Sequence, residues 1–339
     1  MIIRKKEIRG YVKIKMVSKI SRLKELYKKA GGKEIIQQYK SGHVLFFALF
    51  MIGVNGVSKK SLEIVRLAVS NRLLKKFRRK YRRIIQEYVR IELNEQSPKK
   101  KIQSEQRKVW VCWFQGMENA PDIVKRCYQS LQQYITDREI VVITEKNYCD
   151  YIEFPEYIEE KVQKGVISRT HLSDLLRLEL LIKYGGTWID ATVLCTGVCP
   201  KYMLDSDLFL FQILKPGLDG ASTCISSWFL TACQDNVILK LTQKLLYDYW
   251  KSNDDMKDYF LFHDFFQLAI EAYQEEWKQM VPFSSSTPHI LLLRLFDPYD
   301  ERMWNAIQAQ TVFHKLTYKF SEENRKKQGT YYDKIINMR

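Results

Sequence analysis

The stretch that most constrains the fold runs from Ile167 to Val193, ISRTHLSDLLRLELLIKYGGTWIDATV. From Ser173 to Lys183 it is apolar on nearly every side, the pattern of a helix buried all round. Asp174 and Arg177 interrupt it, three residues apart and therefore on one face. A charge in such a helix has to be paired or bonded. The two residues read either as a structural salt bridge or as a clamp on a polar ligand at the edge of a sheet. Tyr184-Gly185-Gly186 ends the helix, because glycine at the C-cap takes the left-handed turn. Thr187–Val193 then reads as a strand, with Trp188, Asp190 and Thr192 on one face and Ile189, Ala191 and Val193 on the other. A carboxylate and a hydroxyl at a strand end could both meet a hydrated Mg²⁺, which takes one or two carboxylates and fills its shell with water and phosphate oxygens.

The flanking sequence sets this stretch in an α/β domain. Lys108–Phe114, KVWVCWF, reads as a strand closed by Gln115-Gly116. Ala120–Tyr134 reads as a helix with Pro121 in its first turn. Glu139–Thr144, EIVVIT, reads as a second buried strand. Strand, helix, strand opens an α/β domain with a parallel sheet.

Charge divides the chain. Met1–Lys108 carries 30 Lys and Arg against 8 Asp and Glu, a net +22. The remainder carries 55 − 30 = 25 basic and 39 − 8 = 31 acidic residues, a net −6. The expected division is a basic helical region over 1–105 and an α/β domain over 106–339, with Asn94–Arg107 around Pro98 as the linker. Arg72–Arg90 places Leu73, Leu74, Phe77, Tyr81, Ile84, Ile85 and Tyr88 near one helical face and basic residues on the other. That pattern suits either a membrane surface or a solvated charged face. Val44–Val54, VLFFALFMIGV, is well short of the ~20 residues that cross a bilayer. It reads as a buried helix in preference to a membrane-dipping one. No secretory h-region is visible. The seven cysteines, odd in number and irregularly spaced, read as reduced thiols in a cytoplasmic protein, without zinc.

SDLLRLELLIKYGGTWIDATV resembles the capsular polysaccharide synthesis glycosyltransferases, relatives of the yeast initiating mannosyltransferases and of clostridial toxin glucosyltransferase domains. VWVCWFQGMENAPDIVKRC, ISSWFL, YFLFHDFF and FHKLTYK match in the same order, so the resemblance covers about Lys108–Phe320. It implies a GT-A nucleotide-diphospho-sugar transferase fold with a DxD motif and Mn²⁺ or Mg²⁺. Asp190 is then the first acid of the motif, and Thr192 stands at the second. A hydroxyl is a poorer cation ligand than a carboxylate, so this departure weakens the implied metal site. His314 resembles the C-terminal ligand completing the metal shell. Asp174 and Arg177 match the residues that hold the donor sugar's hydroxyls and phosphate. Trp113 falls where an aromatic stacks on the base, beside Phe114 and Gln115. Gly185, Gly186, Trp188, Ile189 and Ala191 belong to the same donor site, and Lys315 and Lys319 would neutralise the diphosphate. His263, Asp264 and Trp228 are acceptor candidates, although His263 and Asp264 read equally as a bonded core pair. Taken without the resemblance, His314 reads as a surface residue.

The implied reaction transfers a sugar, with retention, from a nucleotide-diphosphate donor, UDP-sugar favoured. The acceptor is a polysaccharide or lipid-linked oligosaccharide at the inner face of the cell membrane. An anionic membrane surface is the expected partner of the basic region. A nucleic-acid partner is set aside, since the body is acidic and no RRM, KH or zinc motif occurs. The Thr at the second motif position motivates one rival, an inactive family member acting as a scaffold. A nucleotide-hydrolysing phosphoryl enzyme is the other.

Overall fold

The computed structural model describes residues 32–94, 108–214 and 222–338. Any helix within residues 1–31 and the expected linker at 95–107 lie outside them. Helices of eight or more residues are α1 Gly32–Ser41, α2 Leu45–Asn55, α3 Lys59–Asn94, α4 Asp122–Tyr134, α5 Glu156–Gln163, α6 Arg169–Tyr184, α7 Val237–Ser252, α8 Leu261–Ala272 and α9 Glu301–Gln308. The strands are β1 Val109–Cys112, β2 Ile140–Ile143, β3 Gly186–Ile189, β4 Val193–Cys195, β5 Leu208–Gln212, β6 Ile225–Ala232 and β7 Phe313–Lys315. Two compact units emerge, one of Met1–Lys80 with Asn253–Leu261, the other of Tyr81–Ser252 with Phe262–Arg339. The boundary at Lys80 falls inside α3.

In the first unit, Val65, Val69, Leu73, Leu74 and Phe77 of α3 are buried together with Val44 and Ala48. The Lys76 ammonium donates to the carbonyls of Gly42 and His43, both at 2.9 Å, just ahead of α2. The Arg72 guanidinium lies 4.5 Å over the Phe47 ring. Ser58 accepts a hydrogen bond from the Ser61 amide at 3.0 Å and so caps the start of α3. The expectation of a buried helix at Val44–Val54 is corrected here. Within α2 only Ala48 is buried, while Phe46, Leu49, Phe50 and Val54 are exposed. Hydropathy gives a helix its preference for burial but does not supply a covering element, and α3 covers one side alone.

The second unit holds a five-stranded sheet in the order β2-β1-β3-β6-β5. β1 runs parallel to β2 and β3, and β6 is antiparallel to β3 and β5, so four strands share one direction and β6 is reversed. The sheet is therefore mainly parallel in a mixed α/β unit. VWVC and IVVI are β-branched and aromatic runs suited to buried parallel strands. Pro121 is the N-cap of α4 rather than a residue of its first turn. In α6, Leu175, Leu176, Leu178, Leu180 and Leu181 are fully buried. Burial of each contributes ~1.5–3 kcal/mol. Ser168 caps the start of α6 by accepting from the His171 amide. Gly185 ends the helix at φ 67°, and its carbonyl accepts from the Trp110 indole at 3.0 Å. Gly186 sits at φ 97°, where a Cβ would meet the Lys108 carbonyl oxygen at 2.2 Å. Only glycine lets β3 lie that close to the start of β1.

The expectation of one strand over Thr187–Val193 is corrected. β3 stops at Ile189, and Asp190-Ala191-Thr192 forms a tight turn closed by the Val193 amide donating to the Asp190 carbonyl at 3.0 Å. The chain then leaves for a second sheet, in which β4 pairs antiparallel with β7.

Candidate active site

The connection from β1 leads to β2 on one side, and the connection from β2 returns past β1 to β3 on the other. The crevice beyond the carboxyl ends of β1 and β3 is thus a topological switch point, where open α/β sheets bind ligands. Asp190 stands there, directly after β3. Cys112, the last residue of β1, feels the charges of Asp190 and Arg177, and burial pushes its thiol up to about 12.

Three donors converge on the Asp190 carboxylate. Oδ1 accepts from the Trp188 indole at 3.0 Å and from Arg177 at 3.4 Å. Oδ2 lies 3.1 Å from the Lys315 ammonium. The same ammonium donates to the Thr192 hydroxyl at 2.6 Å. The turn that ends β3 brings Asp190 and Thr192 to one lysine, and the β4–β7 pairing, with Val193 opposite Lys315, delivers that lysine.

Arg177 is 3% exposed and bridges two carboxylates. Its other nitrogen donates to Asp174 at 2.6 Å, and the guanidinium lies between the Trp188 and Phe262 rings at 4.8 and 5.3 Å. The structural and the ligand-clamping readings of this pair coexist, since Asp174 keeps a 14% exposed side chain. Burial opposes the Asp174 charge, but His171 and Arg177 outweigh it and hold the carboxyl below its usual range. His171 Nε2 accepts from the Trp250 indole at 3.0 Å, which leaves the proton on Nδ1, 3.4 Å from Asp174. His263 feels Asp174, Arg177 and Asp190, and burial lowers it to about 4, so it is neutral at pH 7. Asp264, its neighbour, is buried in the core.

The remaining expected residues distribute unevenly. Trp113 packs edge-on against Tyr318 at 5.3 Å, which joins the β1 end to the segment carrying Lys315 and Lys319. Phe114 and Gln115 line a cleft of about 280 Å³ with Glu118, Tyr128, Thr144 and Lys146. That cleft lies at the ends of β1 and β2, one strand from Asp190. Lys319 is exposed, 5.9 Å over the Tyr318 ring. Trp228 stacks on Phe211 at 4.5 Å, and its carbonyl accepts from the Asp190 amide at 2.9 Å. Ile189 and Ala191 are buried beside Asp190.

His314 is the clear correction. Strand alternation in β7 turns it to the face opposite Lys315. Its ring is buried against Trp304 at 5.6 Å, with Nε2 3.0 Å from the Thr196 hydroxyl. Burial lowers it to about 4. It does not join Asp190 and Thr192. Among the described residues no group of three His, Cys, Asp or Glu side chains is placed to hold a metal ion. The Asp190 carboxylate already meets Lys315, Arg177 and Trp188, and a divalent cation would have to displace an ammonium from between Asp190 and Thr192. That ammonium occupies the place that the resemblance gives to a divalent ion.

Reasoning from sequence missed Cys112, His171, Phe262 and Tyr318. Phe262 carried a signal, since it adjoins His263 in the aromatic run. The others are placed by tertiary contacts.

The sequence matches the family described as capsular polysaccharide synthesis protein over residues 61–335. The chain belongs to that family. An O-glycosyltransferase of Annulohypoxylon truncatum, braB, is 33% identical over 94 residues, which are 25% of this chain and 22% of that protein. This family member therefore spans about a fifth of the length of that curated relative. The solved structure described as PaToxG Glycosyltransferase aligns with 81% of this chain and 97% of its own, at 13% identity and a TM-score of 0.34. A likeness that low decides nothing about this chain.

Proposed function

We infer that the chain is a GT-A-type glycosyltransferase of polysaccharide assembly, transferring a sugar from a nucleotide-diphosphate donor. The observation that carries this reading is the meeting of Asp174, Arg177, Asp190, Thr192 and Lys315 at the β1/β3 switch point of a chain in this family. Two cations fixed beside two carboxylates suit a substrate that carries both hydroxyls and phosphates. Asp174 would accept from sugar hydroxyls and Arg177 would hold a phosphate oxygen, which together fix the anomeric carbon in place. The base and ribose would lie in the Phe114–Gln115 cleft, with UDP the favoured nucleotide.

In the reaction an acceptor hydroxyl attacks the anomeric carbon on the face from which the diphosphate departs, and its proton passes to the departing diphosphate oxygen. The bond to the diphosphate oxygen breaks with its electron pair passing to the diphosphate. Lys315 stabilises that charge, as a tethered cation in the position the family resemblance gives to a metal ion. Retention of configuration and a polysaccharide or lipid-linked acceptor at the inner face of the cell membrane complete the reading, and both rest on the resemblance. The closed Asp190–Lys315 pair favours one second reading, a family member that binds donor without turning it over.

The test is nucleotide binding. UDP, GDP and CDP are titrated into purified protein by calorimetry in EDTA and again with Mn²⁺. One diphosphate is expected to bind in EDTA with an affinity that Mn²⁺ leaves unchanged. Binding that appears only with Mn²⁺ would return the metal to the site, and no binding under either condition would sink the donor reading.

A further inference from the structure

The first unit presents a surface that glycosyl transfer does not use. Phe46 is 87% exposed, Phe50 66%, Val54 68% and Leu49 54%. The spacing 46, 50, 54, with 49 beside it, puts all four on one face of α2. No charged or polar side chain interrupts the helix from Leu45 to Val54. The opposite side is occupied, with Ala48 buried and Phe47 under Arg72. Basic groups stand at both ends of α2. Lys76 sits on the Gly42 and His43 carbonyls ahead of it, and Lys59 and Lys60 are exposed just beyond it.

We propose that α2 embeds its exposed face in the surface of an anionic phospholipid membrane while the flanking lysines meet the headgroup phosphates. At 11 residues the helix is ~16 Å long, about half of the ~30 Å hydrocarbon core, so it lies in the interface rather than across it. No helix among the described residues is long and apolar enough to cross a membrane. Charge selects lipid over a second copy of the chain. Residues 32–80 carry 11 Lys and Arg against 2 Glu, and Asn253–Leu261 of the same unit adds Lys257 against Asp254, Asp255 and Asp258, for a net +7. Two copies meeting through α2 would set +7 against +7, whereas an anionic leaflet neutralises the same charge. The assignment also moves the membrane contact from where the sequence pattern put it. The apolar residues Leu73, Leu74 and Phe77 of the basic helix are buried inside the protein, and the most exposed apolar face of the unit is the one α2 supplies. The proposal is independent of the donor reading and stands or falls without it.

The test uses the full chain and sedimentation with phosphatidylglycerol-containing vesicles and with phosphatidylcholine vesicles. Phe46→Ser/Phe50→Ser/Val54→Ser removes the apolar face at exposed positions, and its thermal midpoint is expected to match that of the wild type. Wild type is expected to bind the anionic vesicles and bind phosphatidylcholine weakly, with the triple variant at least ~tenfold weaker on the anionic ones. In Phe50→Trp, brominated acyl chains are expected to quench the added fluorescence. Vesicle binding unchanged in the triple variant would overturn the proposal, because the basic residues alone would then suffice. So would a wild type that binds no anionic vesicle, or a wild-type dimer that the triple variant converts to monomer without any lipid binding.

Discussion

Replacing Lys315 with methionine is expected to lower nucleotide-diphosphate release from the donor sugar by ~10²–10³, and Mn²⁺ is expected not to restore it. Methionine keeps most of the unbranched stem, so packing in β7 changes little while the charge is lost. The size of the effect follows from position. The ammonium is held by Asp190 and Thr192 on a strand, with a side chain only 19% exposed, and needs no rearrangement as charge builds on the diphosphate. A single preorganised donor of this kind is worth ~2.7–4 kcal/mol in the transition state. Steady-state assays of diphosphate release in EDTA and in Mn²⁺ read the result. A variant as active as wild type would remove Lys315 from the chemistry, and rescue by Mn²⁺ would show a metal doing its work.

Replacing Arg177 with methionine is expected to cost ~3–5 kcal/mol of folding stability, because removal of one member of a buried ion pair leaves the Asp174 charge with His171 alone. Asp174 would lose its 2.6 Å partner, and Asp190 would lose one of the three side chains that its carboxylate meets. The Trp188 and Phe262 rings would keep an apolar neighbour, so packing loss stays small. The discriminating control is Asp174→Asn in the same background. Urea unfolding of both single variants and the double variant is expected to give a coupling energy above ~1 kcal/mol, as residues in one network do. Additive losses would mean that the two side chains stabilise the fold separately.

The helix–Gly-Gly–strand unit was legible because its determinants are local. An all-round apolar helix, a pair at i and i+3 and a glycine cap are all read within twenty residues. Gly186 adds a reason the pattern did not contain, the approach to the Lys108 carbonyl. The end of β3 was not legible, since Trp188, Asp190 and Thr192 alternate as a strand would. What turns the chain is the pairing of β4 with β7, 123 residues away at the Lys315–Thr192 contact. The same pairing decided between His314 and Lys315. Their order in sequence does not say which faces Asp190, and a shift of one residue exchanges them. Val44–Val54 failed for a related reason: its apolarity is plain, but whether protein or lipid covers it depends on the helix beside it.

The most direct measurement is donor turnover by the wild-type protein. Purified chain is offered a panel of UDP-, GDP- and CMP-sugars in EDTA, beside Asp190→Ala. The expected result is release of the nucleotide from one nucleotide-diphosphate sugar without added metal, lost in Asp190→Ala and absent with CMP-sugars. Release that requires Mn²⁺, or turnover that survives the loss of Asp190, would contradict it.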